Sequence, residues 1–452
     1  MEPRSRRRER RFASELELLQ SSSLIFAGFS VARLLGFLFS VVAARVLSPT
    51  DFGQMSYVLA LATIASVLLS SSPAGLSRFL ARHAGDPREQ ESYLSNWLAV
   101  VGGLVVISLL AAVPISLAGR LNGWMMAGLA VNLVGIAVLE TYREVQRGLG
   151  RFLAMTLFYG LANLLQLVAV VAAALIGRRS PQLFVFIYGA SSLAAWAVME
   201  RLAPVGLRLA RSTLDRQRLL AILRFARPLL AQSVFFAIWF SADLVFVQLI
   251  LEPSATGNYA AAKTLANSLW LAPTAIGMAL VPRVARLPQT EVRRYLAGVL
   301  VLTAVVTVST TAFVVAYGRP LIVAAFGDHY PQAAIPLGIL AVGMGLHGLY
   351  IVMFNLWIGL GRPMVNMVSA AAGMVCTLVA ALLLVHTHGL LGAAWSFSLG
   401  SATRLAIIAA YTAVSFGRLH TTESPPAVPE TTVPTAPATP MVARPLTAEA
   451  GE

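Results

Sequence analysis

The residues best suited to chemistry in this sequence are charged side chains inside long apolar runs. Arg33, Lys263 and Arg404 each interrupt such a run, and Asp243 interrupts another. A charge in a hydrocarbon environment is costly, so these side chains are expected to face a cavity or a partner. A guanidinium binds two phosphate oxygens at once and keeps its charge, which favours an anionic ligand for Arg33.

Each of these charges also has a structural interpretation. The alternative role of Arg33 is an interhelical hydrogen-bond anchor, and that of Arg404 is a structural or lipid-facing side chain whose charge reaches the headgroups. Lys263 and Asp243 lie at similar depth in consecutive runs, which predicts a buried ion pair. That pair is either structural or a switch that phosphate or a proton opens.

Uncharged polar residues in the same runs form the second group of candidates. Their amides can hydrogen-bond sugar hydroxyls, and they can equally tie helices together. The candidates for a polar cavity lining are Asn132, Asn163, Gln166, Asn267 and Asn355. Glu140 is followed on the same helix by Arg143, Glu144 and Arg147, a spacing that predicts a solvated ion network. His347 is expected to be a packed neutral imidazole.

The composition indicates which environment must hold these residues. The chain has 452 residues, of which 57% are hydrophobic and 12% charged, against roughly 25% charged in soluble proteins. This balance predicts an integral membrane protein. The net charge of +14 comes from short arginine clusters between apolar runs. Such clusters indicate orientation and contact with anionic lipids, and not a nucleic-acid partner.

The sequence predicts neither an enzyme nor a cofactor. It has no paired carboxylates, no metal-ligand spacing and no glycine-rich phosphate loop. Its single cysteine, Cys376, excludes an intramolecular disulfide framework. We therefore expect no catalytic residues and no metal.

Twelve apolar runs lie between about residues 23 and 416, each long enough to cross a bilayer as a helix. With the N-terminus inside, 26 of the 34 basic residues fall on inner segments, five on outer loops and three within spans. This asymmetry predicts a protein of the cell membrane with both termini cytoplasmic. The predicted fold class is an all-α polytopic membrane protein.

The two halves of the chain resemble each other at a shift of 204 residues. Eight of 36 positions are identical at this shift, including Pro49 with Pro253 and Gly53 with Gly257. An even number of helices in each half makes this a parallel repeat, an arrangement found in transporters. The sequence therefore predicts two six-helix lobes.

The predicted domain boundaries follow from composition. A basic cytoplasmic arm is expected at 1–20, the first lobe at 21–207 and the second lobe at 223–417. The polar stretch 208–222 is the expected cytoplasmic linker, and the Pro-rich segment 418–452 is the expected disordered cytoplasmic tail.

Four stretches carry a resemblance to a known family. They are RVLSPTDFGQMSYVLALATI, LEPSATGNYAAAKTLANSLWLAPTAIGMALVPRVARL, FGDHYPQAAIPLGIL and GLLGAAWS. In register with the twelve runs, they resemble the oligosaccharide and polysaccharide flippases (Wzx-like) of the MOP superfamily. The resemblance covers about residues 23–416. It implies a pair of six-helix lobes that move a polyprenyl-linked glycan from the inner to the outer leaflet by alternating access.

The resemblance also implies a cationic cavity, because related flippases place arginines on spans 1 and 8. Arg33 on span 1 and Lys263 on span 8 lie on the matching spans. Arg404 on span 12 is a third candidate cavity cation, and Asp243 is the candidate coupling residue or ion-pair partner. The implied partners are a polyprenyl-(pyro)phosphate-linked glycan, anionic lipids, and the polymerase and glycosyltransferases of the same pathway. The alternatives are a MATE-like drug or cation antiporter, a lipid II flippase and a transport-inactive membrane scaffold.

Overall fold

The structure is a computed structural model of the chain. It describes residues 27–207, 215–284, 287, 289–362 and 364–418. The predicted basic arm at 1–20 and, apart from Arg418, the predicted tail at 418–452 lie outside these residues. Contacts within the chain divide it into two units, Met1–Thr412 and Ala413–Glu452. All side chains discussed below belong to the first unit.

The regular structure of the described residues is helical, with no strand. The first half contains α1 Ala27–Val46, α2 Pro49–Ala65, α3 Val67–Ser71, α4 Pro73–Arg82, α5 Pro87–Ala118, α6 Gly123–Gly148, α7 Phe152–Leu175 and α8 Pro181–Leu202. The second half contains α9 Arg216–Ile250, α10 Pro253–Asn267, a 3₁₀ turn at Ser268–Trp270, α11 Leu271–Val284, α12 Gln289–Phe326, α13 Ala334–Gly359 and α14 Met364–Arg418.

Within the described residues, ten helices are long and apolar enough to cross a membrane, and the bent pair Pro49–Ala65 and Val67–Arg82 makes an eleventh span. The protein is therefore an all-α, multi-pass membrane protein. Helix α14 has 55 residues and is interrupted at Gly389, whose φ of 57° suits glycine. This break divides α14 into two arms. The number of twelve spans stays a prediction. The arrangement in two lobes of six remains a prediction.

Local sequence signals explain where the helices begin. Ser48 caps α2 by accepting a hydrogen bond from the Asp51 amide at 3.1 Å, and Pro49 occupies the first helical position. Asn122 caps α6 in the same way, through the Met125 amide at 2.9 Å. These side chains satisfy amides that the first turn of a helix leaves without partners.

The predicted linker 208–222 is shorter in the structure than the sequence suggests. Residues 208–214 lie outside the described residues, but α9 already begins at Arg216 with Asp215 as its cap. Arg218 on the first turn of α9 forms an ion pair with Glu89 on α5, 2.9 Å away. This contact between two distant parts of the chain stabilises a helical start that a polar sequence alone does not indicate.

Positions that the predicted internal repeat relates to each other are in contact where α2 packs against α10. A Cβ added at Gly257 would lie 1.8 Å from the Pro49 oxygen, and one added at Gly53 would lie 2.3 Å from the Pro253 oxygen. The two helices thus cross with their backbones in contact at repeat-related positions. Only glycine allows so close an approach.

Both of these helices break at repeat-related positions further along. The first span bends by 52° between α2 and α3, at Ser66. The α10–α11 segment changes to a 3₁₀ turn over Ser268–Trp270, and position 270 is Ser66 shifted by 204 residues. Interrupted helices at matching positions of two repeats are typical of binding sites in transporters.

Candidate functional site

A cavity of about 490 Å³ lies beside the two interrupted helices. Its walls come from α1, α2, α3, α6, α7, α8, α9 and α10 and from the 3₁₀ turn. Both Ser66 and Trp270, the residues at the two breaks, line it. Six sequence-predicted polar residues also line it: Arg33, Asn132, Glu140, Asn163, Gln166 and Asn267.

Arg33 supplies a positive charge to this cavity from the middle of α1. Its guanidinium carbon lies 4.6 Å from the centre of the Trp270 ring, a cation–π contact that joins the first half of the chain to the second. No carboxylate among the described residues pairs with it. The guanidinium edges are therefore available to a ligand in the cavity.

Amide and indole groups supply donors and acceptors. The Asn132 amide nitrogen donates to the Gly128 and Val185 carbonyls, each at 2.9 Å, but its Oδ1 atom has no partner in the protein. Gln166 Nε2, Asn267 Oδ1 and Trp270 Nε1 are unpartnered in the same way. Buried polar atoms are seldom left without a partner. These atoms can bond a ligand that both donates and accepts.

The acidic residue in the cavity, Glu140, is neutralised by its own helix. Its Oε2 atom lies 2.5 Å from Arg143 Nη2, one turn further along α6. Arg143 and Arg147 both approach Glu144 Oε1 at 3.4 Å. The predicted ion network therefore forms on α6, but Glu140 and Glu144 are 9% and 2% exposed, so the network is buried and not solvated as expected.

The predicted ion pair between Lys263 and Asp243 forms away from the cavity lining. Lys263 Nζ donates to Asp243 Oδ1 and to the Phe240 carbonyl. Asp243 also accepts from Tyr259 Oη at 2.6 Å and from the Leu244 amide at 2.8 Å. Lys263 is 5% exposed and Asp243 is 0% exposed. Both oxygens of the carboxylate are thus engaged by protein donors.

Arg404 and Asn355, the other predicted site residues, also lie outside the cavity lining. Arg404 is 2% exposed, so it is not a lipid-facing side chain. The Asn355 amide nitrogen donates to the Ile351 carbonyl at 2.7 Å, within its own helix. The structure thus places Arg33 in the cavity and separates it from Lys263 and Arg404.

Hydroxyl and phenol groups complete the lining and were not predicted. Thr63, Ser66 and Ser70 face the cavity from α2 and α3, and Tyr159 and Tyr188 face it from α7 and α8. The spacing of three and four residues places the three hydroxyls on one helix face, which was a detectable signal. The tyrosines had no such signal, because an aromatic residue in an apolar helix is typical of the core.

Apolar helices long enough to span a membrane, around a cavity lined by polar residues, define this protein as a multi-pass membrane protein with a polar cavity. Over residues 18–288, more than half of its length, the chain matches the family described as "Polysaccharide biosynthesis protein", and it belongs to that family. No sequence among the curated proteins matches it.

Solved structures of MOP superfamily transporters share the fold. An inward-facing multidrug resistance MATE family transporter of the MOP superfamily superposes with a TM-score of 0.70 at 15% identity, over 88% of this chain and 100% of that one. The lipid II flippase MurJ, in its inward closed conformation, gives 0.70 at 11% identity, over 86% and 87%. A mutant of the Vibrio cholerae MATE transporter VcmN gives 0.60 at 14% identity, over 88% and 96%.

Proposed function

We propose that this protein is a flippase that moves a polyprenyl-(pyro)phosphate-linked oligosaccharide from the inner to the outer leaflet by alternating access, for cell-surface polysaccharide biosynthesis. The family supports a role in polysaccharide biosynthesis. The transporter fold supports movement of a substrate and not a chemical reaction.

The observation that carries the proposal is the charge of the cavity. Arg33 has no carboxylate partner among the described residues, whereas the cavity's acid, Glu140, is neutralised by Arg143. The lining therefore favours an anion. A guanidinium binds phosphate oxygens through two parallel hydrogen bonds, so a lipid-linked phosphate or pyrophosphate fits Arg33.

The uncharged lining supports the glycan part of the substrate. Sugar hydroxyls both donate and accept hydrogen bonds, and the unpartnered cavity atoms include both kinds. Gln166 Nε2 and Trp270 Nε1 are donors, while Asn132 Oδ1 and Asn267 Oδ1 are acceptors. Tyr159, Tyr188 and Trp270 add flat apolar surfaces beside them.

A drug or cation antiporter is the second candidate, because the cavity contains Glu140 and several aromatic rings. An exporter of organic cations needs a carboxylate that is free to meet the cation. Glu140 meets Arg143 instead, and Arg33 repels a cation from the same cavity. The geometry therefore favours the anionic substrate.

The proposed setting is the cell membrane, with both termini cytoplasmic. The basic clusters at the inner ends of the spans would contact anionic lipids. Glycosyltransferases and a polymerase of the same pathway are the proposed protein partners, because they make and consume a lipid-linked glycan.

The test is flipping of a labelled polyprenyl-pyrophosphate glycan by purified protein in vesicles. We expect Arg33→Ala to reduce the flipping rate about 10- to 100-fold, because it removes one charged hydrogen-bonding group from the substrate site. Arg33→Lys is expected to recover part of the rate, since an ammonium keeps the charge but loses the fork. Arg178→Ala, at an exposed arginine outside the cavity lining, is the matched control.

Unchanged flipping by Arg33→Ala would remove Arg33 from the substrate site. Flipping of lipid II in preference to other polyprenyl-linked glycans would assign the narrower substrate. Export of organic cations by the wild-type protein, without glycan flipping, would favour the antiporter. An inactive but correctly folded protein in all three assays would favour the scaffold alternative.

A further inference from the structure

Arg404 is buried in the second half of the chain without a protein counter-charge. Its guanidinium lies between two aromatic rings, with its carbon 4.1 Å from the centre of Trp239 and 4.0 Å from that of Tyr350. No carboxylate among the described residues forms an ion pair with it. The carboxylate of Asp243, on the same helix as Trp239, is held by Lys263 and Tyr259.

Burying the Arg404 charge costs free energy, and Arg404 cannot avoid this cost by losing a proton, because a guanidinium stays protonated in proteins. Tyr350 also forms a side-chain hydrogen bond with the guanidinium. The Nε and Nη1 atoms of Arg404, on the edge, have no hydrogen-bond partner in the protein. A buried cation with free edge donors requires an acceptor that carries negative charge.

Three other buried residues in the same place have donors without partners. Trp239 Nε1, Thr377 Oγ1 and both ring nitrogens of His347 are unpartnered. Trp239, Thr377 and His347 are all 0% exposed. An imidazole always carries at least one N–H, so His347 adds a donor as well. The His347 ring centre lies 4.7 Å from that of Trp239.

Two glycines bring these groups together across the two arms of α14. A Cβ at Gly400 would lie 1.9 Å from Thr377 Oγ1 and 3.0 Å from Trp239 Cδ1, the ring atom next to Nε1. A Cβ at Gly373 would lie 2.2 Å from Arg404 Cγ. The fold at Gly389 thus packs the arm with Thr377 against the arm with Arg404, and the indole nitrogen of α9 lies beside both.

We propose that Arg404, Trp239, Thr377 and His347 form a binding site for a small monovalent anion such as chloride. The unpartnered donors of these residues outnumber the unpartnered acceptors. A ligand that only accepts hydrogen bonds would satisfy these donors. The site is enclosed, because all four residues are at least nine-tenths buried. Burial of all four side chains excludes a ligand as large as a lipid-linked glycan. The site is separate from the Arg33 cavity and does not depend on the proposed transport activity.

The test compares the thermal unfolding midpoint of purified full-length protein in sodium chloride and sodium gluconate at equal ionic strength. A ligand that binds only the folded state raises the midpoint with its concentration. We expect the midpoint to rise with chloride and not with gluconate, which is too large to enter. In Arg404→Met the rise is expected to disappear. Its midpoint in gluconate is expected to be no lower than that of wild type, because a lone buried charge has been removed.

Further variants locate the ion. Thr377→Val removes one donor and keeps the shape of the side chain. The chloride concentration that gives half of the rise in unfolding midpoint is therefore expected to increase about fivefold, which corresponds to the loss of one hydrogen bond. Arg178→Met, at an exposed arginine outside the cavity lining, is the matched control and is expected to keep the whole rise. The proposal is wrong if wild type shows no difference between the salts. It is also wrong if Arg178→Met loses the rise while Arg404→Met keeps it.

Thr377→Val also keeps the test decisive if Arg404→Met yields no folded protein. An unchanged half-saturating chloride concentration in that variant would then refute the site. Bromide in place of chloride provides an independent signal, because it quenches a tryptophan in contact with it. Saturable quenching that Trp239→Phe abolishes supports the site, and quenching that this variant leaves intact contradicts it.

Discussion

The Lys263–Asp243 pair offers the sharpest test of how buried charge is distributed in this protein. Lys263→Met removes the ammonium and leaves Asp243, at 0% exposure, with only Tyr259 and the Leu244 amide as donors. Removing one member of a buried pair typically costs about 3–5 kcal/mol. We expect a loss of this size in the free energy of unfolding.

Asp243→Asn is expected to cost less than Lys263→Met. Lys263 would keep the Phe240 carbonyl as an acceptor and the faces of Phe240 and Phe397, at 5.0 and 5.2 Å from Nζ. The double variant Lys263→Met, Asp243→Asn contains neither charge, so its cost is expected to be well below the sum of the two single costs.

Exchange of the two residues, Lys263→Asp with Asp243→Lys, is not expected to restore stability. The side chain at position 243 accepts from Tyr259 and from the Leu244 amide, and an ammonium has no acceptor to offer them. Since neither residue lines the cavity, the flipping rate per folded molecule is expected to be unchanged in the double variant Lys263→Met, Asp243→Asn.

The assay is a double-mutant cycle on purified variants. The folded fraction of each variant is measured as it unfolds, and the free energies of unfolding are compared. Glu89→Ala is the control, because the ion pair of Glu89 with Arg218 is about one-third exposed and worth roughly 0.2–1 kcal/mol. Additive costs of the two single variants would refute a coupled buried pair. Loss of flipping in a stable double variant would instead assign these charges to transport.

Two further predictions concern packing and topology. Gly257→Ala is expected to lower the free energy of unfolding by about 1–3 kcal/mol, since its Cβ would overlap the Pro49 oxygen. Gly102→Ala is the matched control, because nothing lies within 4 Å of a Cβ at that position. Equal unfolding midpoints of the two variants would contradict the backbone contact. A reporter fused after Pro253 is expected to be extracytoplasmic, and a cytoplasmic signal there would refute the orientation predicted from the arginines.

The class of fold could be predicted because it depends on properties that act locally along the chain. Hydrophobic length requires helices in a bilayer, and Ser48 with Pro49 or Asn122 begins a helix whatever packs around it. The repeat could be detected because the close approach of α2 and α10 requires glycine on both helices. Gly53 and Gly257 meet that requirement at equivalent positions, which leaves an identity between the halves of the sequence.

The site was only partly predictable, because depth along a helix does not determine which way a side chain points. Arg33, Lys263 and Arg404 are indistinguishable in the sequence as charges within apolar runs. Rotation of each helix about its axis separates them: Arg33 faces the cavity, Lys263 meets Asp243, and Arg404 lies between Trp239 and Tyr350. Sequence by itself determined that buried charges exist and need partners, since burial of a charge is costly anywhere. Only the tertiary structure decided the partners, because contacts between distant helices depend on packing that no local pattern encodes.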